Sequence, residues 1–447
     1  MEGKFLKLPN RRSLKLPIKF HLSPLFSPFS SIFSLSPPGR KVVVGIGIII
    51  LLLLFRLWLS FLGYLQFTSK SWDSIEGLTT AVYTKSRKNG RKYWVLKLKK
   101  GSLTFYTSTY RPFSVNPLNR PVYLEFKPPN VSFPNYLTSF YLPPYHLIVE
   151  PFSPPFQWIW NQHPQFKEGG YLFQALFLGG GIPTDLRQKL GRLGVVHLLA
   201  LSGLHLGLIS LLLYLFLSPI YSLLHHRFFP YRNRYFDLGM VILGVEFLYL
   251  LFTNFPPSLL RAFGMELTAF LWLYFRLPFK LFPFLLGVVL VAFLISPGLL
   301  ISLGFFFSLI AVYLIFLYLH HLPPTPFWGI FLPFYLTGAM VPIIHHFFPQ
   351  LSPYLFLSPI ISLLFPLFYG GELIFHLWGV GDVGDSFISL YLQLGENYFT
   401  LPISTPLFGL YLGALLLSYF SRPLFLLTPL LPLGIIVNHL FISYFLG

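Results

Sequence analysis

The sequence has no cysteine among its 447 residues, and this excludes disulfides, thiol catalysis and cysteine metal sites. Charged residues are scarce as well, at 10% of the chain, whereas soluble domains carry about 25%. Hydrophobic residues reach 54%, with a mean hydropathy of +0.66. The chain is therefore predicted to be a polytopic membrane protein, and its 40 prolines predict kinked helices and short connections.

Acidic residues are few compared with basic ones. The 14 Asp and Glu stand against 32 Lys and Arg, and the formal net charge is +18. This excess suits an anionic partner, either lipid headgroups or nucleic acid. A P-loop motif is also missing, so any transport through the protein has to be driven by another component.

The N-terminal region consists of a basic tail and one long apolar run. Residues 1–41 carry eight Lys or Arg, which favours a cytoplasmic location for this tail. Residues 42–66 are predicted to form the first transmembrane helix, because an apolar run of this length matches the thickness of a bilayer. Arg56 is expected near the outer end of this helix, where its side chain would snorkel.

The region 70–150 is the only clearly soluble part of the chain. Five short strands are predicted, at 78–86, 91–99, 102–108, 121–127 and 145–150. The Asn-Gly pair in "RKNGRK" predicts a hairpin between the first two strands. Five strands in about 80 residues fit a small OB-type barrel, with an SH3-like barrel or a sandwich as alternatives.

Residues 151–447 are predicted to form a helical membrane domain. Loops 219–236 and 276–280 carry Arg or Lys, whereas the alternate loops 255–258 and 296–298 carry no charge. The positive-inside rule therefore places the first two loops in the cytoplasm and the 70–150 domain outside the cytoplasmic membrane. Apolar runs predict spans near 198–217, 237–254, 257–275, 281–296, 299–319, 327–346, 354–377, 403–420 and 424–445.

The predicted fold is thus a polytopic α-helical membrane protein with about 8–11 transmembrane helices and an inserted small β-barrel, OB-like, outside the membrane. Residues 378–400 are predicted either as a surface amphipathic helix or as a short re-entrant segment.

The segment "HLLALSGLHLGLIS" (197–210) is unusually polar for a predicted span. Small residues recur at helical spacing from Ala200 through Gly203 to Ser210, so this face is predicted to allow close packing. Ser202 and His205 are three residues apart and share a neighbouring face. His197, Ser202, Gly203 and His205 either bond to neighbouring helices or line a pore, because polar groups at membrane depth face a bundle interior or water.

Arg261 and Glu266 are charged residues inside another apolar stretch, "NFPPSLLRAFGMELTAF" (254–270). Their spacing of five places them on different helix faces, so each is expected to partner a residue on another helix. A structural ion pair is the alternative to a role in a translocation path. Glu246 and Glu372 are further candidates of the same kind.

Several segments together resemble the ComEC family, the inner-membrane channel for transforming DNA in natural competence. "ALFLGG" (175–180) precedes "HLLALSGLHLGL", and "PPSLLRAFGM" (256–265), "SPGLLISLGFFFSLIAV" (296–312) and "LSPIISLLFPLF" (357–368) follow in the family's order. The resemblance covers about residues 171–370. The layout of the chain is also similar to that of the family, in which a basic β-rich domain, described as OB-like, follows one helix. The resemblance implies functional roles for His197, Ser202, Gly203 and His205 in the first signature and for Arg261 in the second.

The resemblance also has a departure. Many family members end in a metallo-β-lactamase-like nuclease domain with a His-x-His-x-Asp-His cluster, and this sequence contains no such cluster. The chain is therefore expected to be a form without its own nuclease, so that another protein would degrade the non-transported strand. A cytoplasmic ATP-driven DNA translocase and a periplasmic DNA receptor are the partners that the family implies.

Single-stranded DNA needs a basic path with aromatic faces for its bases. The 70–150 domain has twelve Lys or Arg against four acids, a net charge of +8. A solvated basic face near anionic lipid is the alternative interpretation of this charge. The candidate DNA-binding residues are Arg87, Lys88, Arg91, Lys92, Trp94, Lys97, Lys99 and Lys100.

The function predicted from the sequence is passage of single-stranded DNA across the cytoplasmic membrane, with the phospholipid bilayer as the other partner. Two alternatives remain: a transporter of a small anionic or lipid substrate, and an intramembrane hydrolase that uses Ser202 with His197 or His205. No cofactor is expected. The adjacent histidine pairs lack the spacing and carboxylates of a zinc site, so no metal is expected either.

Overall fold

A computed structural model describes residues 40–430, except 71, 88, 89, 102, 129, 229 and 279, together with residue 434. Most of the predicted tail 1–41 and of the predicted span 424–445 lies outside these residues. Helix α1 (Arg40–Thr68) contains the first predicted span, and its segment Gly47–Thr68 is long and apolar enough to cross a membrane.

Arg56 in α1 binds the end of another helix. Its guanidinium donates to the carbonyls of Leu294 at 2.8 Å and Ile295 at 3.1 Å, and to Ser60 Oγ at 2.7 Å. These carbonyls end the helix Leu281–Ile295, where the last turn leaves acceptors unpaired and the helix dipole favours a cation. The predicted snorkelling stays a prediction, and the sequence does not show which helix end lies beside Arg56.

The β-rich region forms one mixed six-stranded sheet. Its strand order is β5-β3-β2-β1-β4-β6, with β3 and β5 parallel and the other pairs antiparallel. The ladder among the described strands runs from edge to edge, so the barrel stays a prediction and an open sheet is what the pairing shows. The strands are β1 (Asp73–Ser86), β2 (Lys92–Lys100), β3 (Leu103–Thr109), β4 (Pro121–Phe126), β5 (Phe140–Tyr141) and β6 (His146–Val149), and helix α2 (Phe133–Thr138) precedes β5.

Side-chain alternation gives the sheet two different faces. Leu96, Leu98 and Phe105 are fully buried in an apolar core under one face. Their sequence neighbours Val95, Lys97 and Tyr106 point to the other face, where Lys97 lies opposite Tyr106 in the β2–β3 register. The predicted β1–β2 hairpin is confirmed by its antiparallel pairing, although Asn89 itself lies outside the described residues.

Short helices lead from the sheet into the membrane domain, and longer helices follow. The short ones are α3 (Pro154–Asn161), α4 (Lys167–Leu178), α5 (Thr184–Arg192) and α6 (Val196–Leu199). The longer ones are α7 (Gly203–Phe228), α8 (Arg234–Phe252), α9 (Pro257–Tyr274), α10 (Leu281–Ile295), α11 (Leu303–His321), α12 (Pro326–Phe347) and α13 (Ser358–Leu377). After them come α14 (Asp385–Leu394) and α15 (Thr405–Leu417), with the two-residue strands β7 (Gln350–Leu351) and β8 (Phe399–Thr400) paired to each other.

Six segments of the described chain are long and apolar enough to span a membrane. They are Gly47–Thr68, Gly203–Phe228, Arg234–Phe252, Leu303–His321, Pro326–Phe347 and Pro353–Leu377. The shorter apolar helices α10 and α15 occupy two further predicted spans. Proline lies inside several of these helices, as the composition predicts, at Pro219, Pro333, Pro342 and Pro366.

The uncertain region 378–400 contains helix α14. Its ten residues extend about 15 Å, too short to cross a hydrocarbon core of about 30 Å. Ile388 and Leu392 on this helix are buried in the core around α4, while Phe387 and Leu390 are exposed.

Candidate nucleic-acid groove and helix junction

A large open groove follows the face of the sheet opposite its core. It has a volume of about 1430 Å³ and is rich in tyrosine. The aromatic residues along it are Tyr83, Tyr93, Tyr106, Tyr110, Phe113, Tyr141 and Tyr145, and the basic ones are Lys85, Arg87 and Arg111. Aromatic rings that alternate with cations are what a single strand of nucleic acid needs, because bases stack on the rings and phosphates pair with the cations.

The strand register produces this alternation. In β1, Tyr83 and Lys85 are two residues apart and therefore point to the same face, and Tyr83 lies opposite Val95 of β2. Two of the three groove cations lie against a ring: the Lys85 ammonium is 5.7 Å from the Tyr83 ring centroid and the Arg87 guanidinium is 5.5 Å from that of Tyr110. The Lys97 ammonium is 5.8 Å from the Tyr106 ring centroid in the same way.

The predicted DNA-binding residues have different positions relative to the groove. Arg87 lines the groove, and Lys97 lies on the groove face over Tyr106. Arg91, Lys92 and Lys100 are exposed but are not among the groove residues. Trp94 belongs to the opposite face and packs edge-on against Phe113, with centroids 6.1 Å apart, and Lys88 lies outside the described residues.

Lys99 does not point its charge into the groove. Its side chain is buried and its ammonium donates to the carbonyl of Phe255, in the loop before α9. Burial and the neighbouring Lys97 lower the pKa of Lys99 to about 7. The backbone N–H of Gly101 donates to Asn254 Oδ1 at 3.2 Å, so the end of the β2–β3 hairpin is attached to this loop by two bonds.

The sequence prediction missed several groove residues. Lys85 continues the alternation from Tyr83 and could have been found from the period of two. Tyr110 and Arg111 follow β3 in a loop, and Tyr141 and Tyr145 lie at the far edge strands, where no local pattern indicates which face they join.

The signature segment around Ser202 is a helix start rather than the middle of a helix. The Ser202 carbonyl accepts from the N–H groups of His205 at 3.1 Å and Leu206 at 3.2 Å, while the Ser202 N–H donates to His205 Nδ1 at 3.2 Å. The His205 side chain thus reaches back from the third helical position to the N–H of the cap residue Ser202, which is one half of a capping box. The prediction of one helix from 198 was wrong for this reason: α7 begins at Gly203, and His197 belongs to α6.

The four signature residues therefore have different surroundings. His205 is fully buried with its ring 4.9 Å from that of Tyr369 and 5.1 Å from that of Phe365 on α13. Gly203 approaches α9, where a Cβ would lie 3.9 Å from Ala262 Cβ, whereas a Cβ at Gly207 would meet nothing within 4 Å. His197 Nε2 lies 3.4 Å from Ser362 Oγ on α13.

Arg261 and Glu266 each contact another helix, as predicted. Arg261 Nε donates to Ser308 Oγ on α11 at 3.4 Å, and its guanidinium lies over Gly304, where a Cβ would be 2.9 Å from Nη2. Glu266 accepts from Ser210 Oγ on α7 at 2.8 Å, and the same hydroxyl contacts Glu246 on α8. None of the ion pairs between described residues includes Arg261, so the alternative of a structural ion pair is wrong for this part of the chain.

Arg261 lies among the starts of three helices. It is in the second turn of α9, it covers Gly304 at the start of α11, and its neighbour Ala262 faces Gly203 at the start of α7. Helix N-termini carry partial positive charge and free N–H groups. Together with the guanidinium, they make this junction favourable for an anion.

The glycine segment 179–181 connects this junction to the β-sheet region. Gly179 has φ +70°, and a Cβ there would lie 2.5 Å from Pro256 Cγ and 3.2 Å from Leu201 Cδ1. Gly181 donates to Asn119 Oδ1 at 2.6 Å and accepts from Asn119 Nδ2 at 3.0 Å. The first two signature segments and the "ALFLGG" segment thus meet at one place.

The adjacent histidine pairs are used at helix ends. His225, His321, His345 and His346 each bond through a ring nitrogen to a backbone carbonyl, at 2.7, 2.8, 2.7 and 2.9 Å. Across the described residues, no group of three or more His, Asp or Glu is arranged to hold a metal ion.

Comparison with known proteins gives one match. The family model described as Competence protein matches residues 178–420, which is more than half of the 447-residue chain. No curated protein and no solved structure matches it.

Proposed function

Because the chain belongs to the Competence protein family, we propose that it forms a channel for single-stranded transforming DNA across the cytoplasmic membrane. The observation that carries this proposal is the groove of about 1430 Å³, lined by tyrosines and cations. Stacking on aromatic side chains tolerates any base, and phosphate attraction tolerates any sequence, so the groove suits DNA of arbitrary origin.

The second part of the proposal is the anionic path beyond the groove. Arg261, with the three helix starts around it, offers positive potential next to the signature residues Ser202, Gly203 and His205. A phosphate needs such a site at membrane depth because its charge is costly in hydrocarbon. His197, on the separate helix α6, and Glu266, bonded to α7, are proposed to line the same path.

Two contacts support a transfer from groove to path. The β2–β3 hairpin carries Lys97 on the groove face and, two residues later, binds the loop before α9 through Lys99 and Gly101. Helix α9 begins at Pro257, directly after that loop, and carries Arg261. A strand that leaves the groove at this end would therefore be next to the junction.

The proposed orientation follows the charge of the loops. The N-terminal tail lies in the cytoplasm, the β-sheet region lies outside the cytoplasmic membrane, and the basic loops 219–236 and 276–280 face inward. A separate ATP-driven translocase would pull the strand, a periplasmic receptor would deliver it, and another protein would degrade the complementary strand.

Two other functions use some of the same residues. A transporter of a small anionic or lipid substrate would need the Arg261 junction but not the groove. An intramembrane hydrolase is favoured by the distance of 3.2 Å between Ser202 Oγ and His205 Nδ1. Against it, the same Nδ1 accepts the Ser202 N–H, which is a capping role, and no carboxylate of the described residues pairs with this histidine.

The proposal is tested by DNA binding to the full-length protein in detergent. Fluorescence anisotropy of a labelled oligonucleotide should show binding of single strands of different sequence with similar Kd, and binding that weakens steeply with salt. Inorganic phosphate at millimolar concentration should compete poorly. Equal affinity for phosphate and DNA would favour the transporter, and loss of function in Ser202→Ala beyond a loss of stability would favour the hydrolase.

A further inference from the structure

Two buried histidines meet at a place that the proposed DNA path does not use. His163 lies in the connection between α3 and α4, and His376 lies in the last turn of α13. Their Nε2 atoms are 3.1 Å apart, and both side chains are inaccessible to solvent. Asp385, the first residue of α14, lies on the far side of His163.

The hydrogen-bond partners fix most of the protons in this chain of groups. His376 Nδ1 lies 2.7 Å from the carbonyl of Glu372, and a carbonyl only accepts, so this nitrogen donates. A neutral His376 then has a lone pair at Nε2, and His163 Nε2 must donate to it. His163 Nδ1 meanwhile faces both Asp385 oxygens, at 2.9 and 3.0 Å.

With two neutral imidazoles and an ionised Asp385, these contacts are one proton short. A neutral His163 that donates from Nε2 has a lone pair at Nδ1, and an ionised carboxylate has no hydrogen to offer it. The contact at 2.9 Å therefore requires one more proton, carried by an imidazole or by Asp385. Without that proton, either two nitrogen lone pairs or a lone pair and a carboxylate would face each other inside the protein.

The surroundings favour retention of this proton. Glu372 Oε2 is 3.7 Å from His376 Nδ1, Asp382 lies near Asp385, and no Lys or Arg of the described residues forms an ion pair with these three carboxyls. Burial raises the pKa of Asp385, although its bond to His163 acts in the opposite direction. The remaining neighbours are aromatic: Phe173 stacks on His163 at 4.8 Å, and Phe177 and Trp158 pack against His376.

We propose that Asp385, His163 and His376 form a proton-binding site that closes the junction between the α3–α4 connection and the α13–α14 turn. At the same junction the backbone N–H of Gly381 donates to the side-chain Oε1 of Gln162 at 3.0 Å. Loss of the proton leaves that bond intact, but two nitrogen lone pairs, or a lone pair and a carboxylate, then face each other and repel. The junction is therefore tight at low pH and loosens as pH rises through the titration of the site.

The consequence reaches the glycine segment. Helix α4 starts four residues after His163 and ends at Leu178. The next residue, Gly179, lies close to the ring of Pro256. A proton bound near the start of α4 is therefore expected to affect the position of the other end of this helix, beside Pro256.

Thermal unfolding of the full-length protein in detergent, followed across pH, tests the proposal. The stability that the folded site gains from its extra proton is present at low pH and is lost as pH rises, so the Tm of the wild type should fall through one step. His163→Gln should remove this step. Asp385→Asn should also remove it, because the asparagine amide can donate to His163 Nδ1 and completes the chain without an extra proton.

A matched control is His345→Gln. His345 is also buried and also bonds a carbonyl through Nδ1, at 2.7 Å, but the ring contacts of the described residues pair it with no second histidine. Its substitution should leave the downward step in place.

Three results would overturn the proposal. One is a wild-type curve with no step, and another is Asp385→Asn with its step still in place, which decides the question even where His163→Gln does not fold. The third is a Tm that falls on addition of EDTA and is restored by zinc, because the shared cation would then be a metal ion rather than a proton.

Discussion

Arg261 is a residue whose setting differs from that of most charges at membrane depth. Such charges normally pair with an opposite charge, but none of the ion pairs among the described residues includes Arg261. Among the described residues, its guanidinium bonds the Ser308 hydroxyl at 3.4 Å and lies over Gly304. The arrangement leaves the charge available to an anion that passes, which is the property that the proposed path requires.

Substitution of Arg261 is expected to impair DNA entry. Arg261→Gln removes the charge at the junction and should lower the entry rate at least about tenfold, equivalent to about 1.4 kcal/mol. Arg261→Lys should retain part of the rate, because it keeps the charge but not the planar fork. The measurement is internalised labelled DNA per cell at equal protein level. Ser308→Ala, which removes only the hydrogen-bond partner, is the control and should enter normally.

Gly179 is expected to tolerate no side chain. Gly179→Ala places a Cβ at φ +70° and 2.5 Å from Pro256 Cγ, and the left-handed conformation alone costs about 1–2 kcal/mol. The variant should show a lower Tm in detergent. The control is Gly191→Ala, where a Cβ meets nothing within 4 Å, and it should leave Tm unchanged or slightly higher. An equal loss of Tm in the two variants would contradict the close packing of Gly179 against Pro256.

Lys99 is expected to make stability depend on pH. Its folded-state pKa of about 7 lies below the ordinary 10.5, so the folded protein binds fewer protons than the unfolded chain between these values. Stability should therefore rise with pH across this window. Lys99→Met should flatten that rise in Tm measurements, whereas the exposed Lys100→Met should keep it. An unchanged slope in Lys99→Met would show that another group is responsible.

At the scale of secondary-structure elements, the groove depends on alternation along three strands. The same period of two that buries Leu96 and Leu98 also brings Tyr83, Lys97 and Tyr106 to the opposite face. A shift of one residue in register would exchange the two faces, so the core and the groove are fixed together.

The groove tyrosines are expected to contribute directly to DNA affinity. Tyr106→Ala and Tyr110→Ala should each weaken binding of a labelled single strand by about 1–3 kcal/mol, the usual value for a stacked base. Tyr231→Ala removes a fully exposed tyrosine outside the groove and should leave the Kd unchanged. Affinities measured at several salt concentrations would show parallel slopes for the tyrosine variants, since no charge is removed. Unchanged Kd in both groove variants would exclude stacking there.

Most elements could be predicted from the sequence because their signals are local. The five strands and most spans follow from alternation, apolar length and Asn-Gly or Pro punctuation. The start of α7 was predicted five residues too early, because apolar residues continue through the break at 200–202, whereas the Ser202–His205 bonding starts the helix only after that break. Strand β5, two residues long and paired in parallel with β3, gives no local signal at all.

The site was less predictable because it depends on contacts between distant segments. Trp94 and Lys99 have the residue types expected for DNA binding, but one packs against Phe113 and the other bonds the Phe255 carbonyl. His163 lies more than 200 positions before both His376 and Asp385, and no spacing rule connects it to them.

At the scale of the whole molecule, we propose that the groove and the Arg261 junction are two sites for one polyanion. Stacking and phosphate contacts in the groove are independent of sequence, and the junction adds charge at the point where the strand would enter the helices. The hairpin end at Lys99 and Gly101 and the Asn119–Gly181 bonds hold the two regions together. The account therefore separates DNA capture from DNA passage.

The most direct test is entry of labelled DNA into cells that lack this protein, with surface-bound and internalised DNA counted separately. The account predicts that deletion abolishes entry while surface binding persists, and that the wild type restores entry but a Tyr106→Ala, Tyr110→Ala, Arg261→Gln triple variant at equal protein level does not. Normal entry in the deleted cells, or full restoration by the triple variant, would contradict the channel.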